Sequence, residues 1–220
     1  MTLEAIIFDC DGVLVDSEKF SCGAWNVLMK KEYNLEVGTD YNAILGKNST
    51  DAAKFYLEKY DIDYSKDLLH VLAKKKEDTY YQISKNHLDP VPGIRQIIHD
   101  AKSLKLKIAV ASSGSLDKIN YSLTETGLRD EFDMIICADD VKHAKPSPDI
   151  FLTAMAKLNS KPEQSIVIED SLSGIIAAKA SGAYTVAIAN TFPRDKLQDA
   201  DLVIESFADL DLNALFSHFS

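Results

Sequence analysis

Ala5-Ile6-Ile7-Phe8-Asp9-Cys10-Asp11-Gly12-Val13-Leu14-Val15-Asp16 is the stretch on which the fold turns. A short apolar run, fit for a strand buried on both faces, stops abruptly at two aspartates spaced i, i+2 and then a glycine. In an open α/β sheet, side chains at the carboxyl end of a strand project into the crevice where such folds bind ligands. Asp9 and Asp11 are both ionised at neutral pH if unperturbed, and they repel each other unless a cation sits between them. Strand alternation turns Cys10 away from them, into the core.

Outward from this stretch, the pattern is helical from about Glu18 to about Ser84. Phe20, Ala24 and Leu28 recur at helical spacing, as do Phe55 with the residues up to Tyr60, and Leu69, Leu72, Lys76 and Ile83. Asp89-Pro90-Val91-Pro92-Gly93 then breaks the rhythm. Beyond it, short branched runs at Lys107–Ser112, Asp133–Cys137, Ser165–Ile168, Tyr184–Ile188 and Leu202–Ile204 read as strands. Helical stretches at Ile94–Leu104, Leu116–Thr126, Pro148–Leu158 and Leu172–Ser181 separate them. Strands alternating with helices of that length predict βαβ units and a parallel sheet covered on both faces. The expected fold is therefore a doubly wound, Rossmann-like α/β core over residues 1–16 and 89–220. An α-helical cap, residues 17–88, is inserted after the first strand.

Composition fits that picture. A chain of 220 residues suits one domain with a smaller one inserted, and 46% hydrophobic with 26% charged residues is ordinary for a globular protein. No apolar stretch approaches the ~20 residues that cross a bilayer, so no membrane partner is expected. The formal charge of −10 argues against a nucleic-acid partner, which would need a basic face. Three cysteines, Cys10, Cys22 and Cys137, form no CxxC pair, which fits a reducing, cytoplasmic location. Lys74-Lys75-Lys76 is the densest basic run and reads as a solvated helix face.

The polar residues just after each strand should gather at one edge of the sheet. They are Asp9 and Asp11, Ser112 after the second strand, Lys145 a short loop beyond the third, and Glu169-Asp170 at the end of the fourth. Hard oxygen donors of this kind suit Mg²⁺, which takes one or two carboxylates together with waters and substrate phosphate.

In order, DCDGVLVDS, VASSGS, the lysine of AKPSPDIF, and IEDSLSG resemble the four motifs of the haloacid dehalogenase superfamily, over essentially the full length. The insertion point matches its members with an all-helical cap, and the chain looks most like the phosphatase and β-phosphoglucomutase branch. The resemblance implies that Asp9 is the nucleophile on phosphorus, forming an aspartyl-phosphate. Asp11 is implied as acid to the leaving oxygen and then base to water. Ser112 and Ser113, with backbone N–H groups ahead of a helix, would hold phosphate oxygens. Lys145 would offset charge on the nucleophile and phosphoryl group. Asp9, the carbonyl of Asp11, and Asp170 would hold Mg²⁺, with Glu169 a direct or water-mediated ligand.

Asp11 speaks against halogen removal, since members with that activity lack the second aspartate. In the β-phosphoglucomutase branch a histidine stands at the cap hinge and an arginine in a cap loop grips a second phosphate. Here Ser21 takes the first position, and the loop Leu45-Gly46-Lys47-Asn48-Ser49 puts Ser49 at the second. Losing that bidentate clamp weakens recognition of a bisphosphate. Gly46, Lys47, Ser49 and Lys76 are the cap candidates for meeting substrate. The expectation is a phosphatase acting on a small phosphorylated metabolite, such as a sugar or polyol phosphate, with a phosphomutase as the alternative. A phospho-signalling receiver has the motif order wrong, and a catalytically dead phosphometabolite sensor is at odds with a full set of catalytic groups.

Overall fold

The computed structural model describes residues 2–38, 41, 43–45 and 47–219. The chain divides into two compact units, Met1–Asp16 with Asp89–Ser220 and, between them, Ser17–Leu88.

The first unit is built on a sheet of six strands: β1 (Ala5–Phe8), β2 (Lys107–Ala111), β3 (Met134–Ile136), β4 (Ser165–Glu169), β5 (Tyr184–Ile188) and β6 (Leu202–Ile204). All neighbours pair in parallel, in the order β3-β2-β1-β4-β5-β6. The doubly wound parallel sheet is the one anticipated from the sequence; its strand order comes from the structure and sets a crevice at the carboxyl ends of the central strands. Every residue of β1 is buried, as a strand covered on both faces requires. The helices are α4 (Ile94–Ser103), α5 (Leu116–Glu125), α6 (Asp149–Leu158), α7 (Leu172–Ser181) and α8 (Leu212–His218). Ile7, Ala109, Ile136 and Val167 of the sheet pack with Phe151, Met155 and Ala178 of α6 and α7 in one continuous core. At the junction, Asp16 N–H donates to the Asp89 carbonyl at 2.9 Å, so the chain leaves and re-enters this unit side by side.

The second unit contains α1 (Glu18–Tyr33), α2 (Ser49–Lys59) and α3 (Lys66–Ser84). What reads in sequence as one long helical region is three helices, because caps interrupt it. Asn34 ends α1 in the left-handed region at φ 55°, and the Asn48 and Ser65 side chains accept from the N–H groups of Asp51 and Leu68 to start α2 and α3. Trp25, Leu28, Tyr56, Leu57 and Leu72 fill its core, with the Trp25 and Tyr56 rings 5.4 Å apart.

Candidate active site

Asp9 lies one residue past β1, where its N–H still donates to the Ile168 carbonyl at 2.9 Å. From there the backbone folds tightly back: the N–H groups of Leu14 and Val15 both reach the Cys10 carbonyl, and Gly12 turns through φ +78°. Asp9 is 7% exposed and Cys10, as expected, is buried.

Lys145 ties three strand ends together. Its Nζ donates to Asp9 Oδ1 at 2.5 Å, to Glu169 Oε1 at 2.6 Å and to the Ala111 carbonyl at 3.4 Å, linking the ends of β1, β4 and β2. Its side chain is 4% exposed. Burial by itself would lower the ammonium pKa, but Asp9 and Glu169 outweigh it and hold the lysine above its ordinary value. Asp9 behaves oppositely. Burial raises its carboxyl, Lys145 opposes the rise, Glu169 and Asp11 add to it, and together they hold the group at about 7. More carboxylate is crowded here than the lysine can neutralise, and a cation would relieve the excess.

Glu169 has a second set of partners. Its Oε2 accepts from the Asp170 and Ser171 N–H groups, both at 2.8 Å, and from Ser171 Oγ at 3.0 Å. Ser171 in turn caps α7 by accepting from Gly174 N–H. A Cβ on Gly174 would overlap the Glu169 carboxylate, so a small residue is needed there. Asp170 Oδ2 accepts from Thr191 Oγ1, and Asn190 Nδ2 donates to the Gly12 carbonyl at 2.9 Å.

On the other side of β1, Ser112 follows β2, is 2% exposed, and accepts from Gly114 N–H at 3.3 Å. The hydroxyl that caps α5 belongs instead to Ser115, which accepts from Lys118 N–H. Ser112 and Ser113 are thereby not spent on the cap. Asp11 Oδ2 receives Lys118 Nζ at 2.6 Å.

Asp9, Asp11, Ser112, Lys145, Glu169 and Asp170 thus occupy one rim of the sheet. Among the described residues, no three acidic, Cys or His side chains close into a ready-made cage for a metal. The donor set still fits Mg²⁺, which needs only one or two carboxylates plus oxygens from backbone and water. Gly12 lets the turn after β1 close directly against Asp170, since a Cβ there would overlap the Asp170 carboxylate, and so brings the Asp11–Gly12 backbone and that acid together.

The remaining sequence candidates lie in the helical unit. Lys74 and Lys75 are exposed, as a solvated face predicts, but Lys76 is buried at 3% exposure and donates to Ser21 Oγ at 2.7 Å. Lys47 is exposed and Ser49 opens α2, while Gly46 lies outside the described residues. Lys118, Asn190 and Thr191 are site neighbours outside the quoted motifs, while Ser171 and Gly174 stand within IEDSLSG but received no role from the sequence. Asn190 and Thr191 follow β5 closely, so the strand-end rule could have found them.

A doubly wound sheet carrying an acid pair, a hydroxyl and a buried lysine along one rim defines a phosphoryl-handling α/β enzyme. The chain belongs to the haloacid dehalogenase-like hydrolase family, whose profile matches residues 6–188. It is 32% identical to a phosphorylated carbohydrates phosphatase of Thermotoga maritima, over 82% of each chain. It is 30% identical to the β-phosphoglucomutase of Bacillus subtilis, over 97% of this chain and 94% of that one. The solved β-phosphoglucomutase of Clostridium difficile superposes with a TM-score of 0.87 at 30% identity, covering 99% of this chain and 97% of the other.

Proposed function

We propose that this chain is a Mg²⁺-dependent phosphatase that hydrolyses a small phosphomonoester, a sugar or polyol phosphate in class, through an aspartyl-phosphate on Asp9. The observation that carries the reading is the bridge from Lys145 to both Asp9 and Glu169. It anchors a nucleophile beside a permanent cation at the edge where a phosphoryl group would enter.

Asp9 Oδ attacks phosphorus and the ester oxygen leaves, taking a proton from Asp11. Asp11 then accepts a proton from the water that attacks the acyl phosphate, which frees inorganic phosphate and restores Asp9. Ser112, Ser113 and neighbouring N–H groups hold the non-reacting oxygens, and Lys145 offsets their charge. Asp9, the Asp11 carbonyl and Asp170 are the residues that would hold Mg²⁺, with Glu169 reaching it directly or through water. When bound, the metal supplies charge neutralisation and orientation for the phosphoryl group. Residues 17–88 serve as a cap, and a cytoplasmic location belongs to the same reading, supported by the buried thiols of Cys10, Cys22 and Cys137, which form no disulfide among the described residues.

A phosphomutase is the second reading, favoured by the likeness to the two β-phosphoglucomutases. Against it stands Ser21, bonded to Lys76, at the hinge position where that branch carries a histidine. A screen of phosphometabolites with Mg²⁺, including β-glucose 1-phosphate primed by a bisphosphate, separates the two. Release of inorganic phosphate supports the phosphatase. Isomerised sugar phosphate without phosphate release overturns it, and no turnover above an Asp9→Asn control would make the chain a sensor.

A further inference from the structure

Lys118 is a buried ammonium in an unfavourable place. It stands in the first turn of α5, where the helix's partial positive charge opposes a cation, and it is 7% exposed. Burying an ammonium is uphill unless the charge is paired. The helix does not require a lysine there. Its contribution to the cap is a backbone N–H donated to Ser115 Oγ at 3.3 Å, which nearly any residue at position 118 would supply.

The charge is met by Asp11, 107 positions earlier in the chain, at 2.6 Å. The side chains of this pair are 9% and 20% exposed, so water screens it far less than a surface pair. To get there the stem runs past the loop that carries Ser112. A Cβ on Gly114 would stand 3.6 Å from Lys118 Cδ and 3.6 Å from Ser112 Oγ. Lys118 therefore spans from the loop after β2 to the loop after β1.

We propose that Lys118 is the positioning residue for Asp11, fixing the orientation in which that carboxylate faces the reacting oxygens. The inference rests on the reading of Asp11 as acid and base. Proton transfer requires hydrogen-bond reach in both half-reactions, and an unheld aspartate turns among several staggered orientations. Lys118 touches neither substrate nor phosphoryl group in this scheme, so its effect on the reaction is assigned to its hold on Asp11.

A double-mutant cycle on the full chain tests this, using p-nitrophenyl phosphate with saturating Mg²⁺, and thermal unfolding to check the fold. Lys118→Met should lower kcat by about 10- to 100-fold, as expected for misplacing such a group, with KM changed less than about twofold. Lys118→Arg, which keeps the charge, should recover much of that loss. In an Asp11→Asn background, Lys118→Met should change kcat by less than about twofold, because the group it positions is gone. Equal losses in both backgrounds, or a raised KM with normal kcat, would overturn the proposal while leaving the role of Asp11 intact. Wild-type turnover in Asp11→Asn, or no turnover by the wild type, would overturn the reading of Asp11 and this inference with it. If Lys118→Met does not fold, Lys118→Gln carries the same cycle. Failure of both to fold assigns the lysine to the fold alone and sinks the proposal.

Discussion

Gly12 and Asp170, 158 positions apart in the chain, approach so closely that no side chain can stand on the glycine. A Cβ there would overlap Asp170 Oδ2 and come within 2.8 Å of Thr191 Oγ1, the hydroxyl that donates to Asp170. The glycine also turns through φ +78°, a left-handed conformation that an L side chain resists. One residue thus sets both the backbone turn after β1 and the close approach of that turn to the acid that follows β4.

Gly12→Ala should therefore do more than strain a turn. Left-handed backbone costs alanine about 1–2 kcal/mol, and Asp170 with Thr191 must also move. The expected outcome is a stability loss of that size together with Mg²⁺ affinity lowered about 10- to 100-fold, as when groups that orient a ligand are disturbed. Urea unfolding and a calorimetric Mg²⁺ titration measure the two separately. Unchanged Mg²⁺ affinity in a folded variant would remove Asp170 from the metal site.

Lys145→Met tests the bridge itself. The substitution keeps the length of the side chain but leaves Asp9 and Glu169 buried without their shared cation. Breaking a buried ion pair from one side costs about 3–5 kcal/mol, and a loss of that order is expected in metal-free urea unfolding at pH 7.5. The loss should shrink toward pH 5, where Asp9, already raised to about 7, takes up a proton and no longer needs the lysine. An equal loss at both pH values would mean that Lys145 acts through packing, for instance against the Phe151 ring at 4.9 Å.

The sheet was legible in the sequence because β1, β2, β4 and β5 are buried along almost their whole length and so read as apolar runs, and β1, β2 and β4 close on polar residues. The same rule brought Asp9, Ser112 and Glu169 to one edge before any coordinates. The seven-residue helix α8 (Leu212–His218) escaped, since a segment so short shows no clear period. Lys118 escaped for another reason. A lysine in a helical run reads as solvated, and only the folded chain brings it to Asp11. Lys76 illustrates the same limit within Lys74-Lys75-Lys76: helical spacing predicts that neighbours face different ways, but not which of three identical residues is buried.

Gly174→Ala should reverse a familiar sign. Inside a helix, glycine to alanine ordinarily stabilises by about 1 kcal/mol. Gly174 sits in α7 against the Glu169 carboxylate, which a methyl group would overlap. Glu169 would have to give up its bonds to Ser171 or to Lys145, so the variant should be less stable than wild type, by roughly 1–3 kcal/mol for loosening such bonds. It should also turn over substrate more slowly. A stabilised Gly174→Ala protein with normal turnover would show that the position of Glu169 is not fixed by this contact.

Asp9→Asn bears on chemistry and stability in opposite ways. Removing the nucleophile should lower turnover by on the order of 10⁴ or more, as loss of a covalent nucleophile does elsewhere, while nearly preserving shape. The stability effect follows from protons. The folded chain holds Asp9 protonated up to about pH 7, whereas the unfolded chain releases that proton near the ordinary value of 3.8. Between those limits the folded state binds more protons, so metal-free wild type should lose stability as pH rises, by up to ~1.4 kcal/mol per pH unit for one group. Asparagine cannot titrate, so the variant lacks that contribution. The stability of wild type relative to Asp9→Asn, measured by urea unfolding in EDTA, should therefore decline from pH 4 to pH 7 and level off above. Mg²⁺ should stabilise wild type more at pH 7.5 than at pH 5, since the proton competes with it for Asp9. Parallel pH profiles for the two proteins would show that burial does not hold this carboxyl in its neutral form.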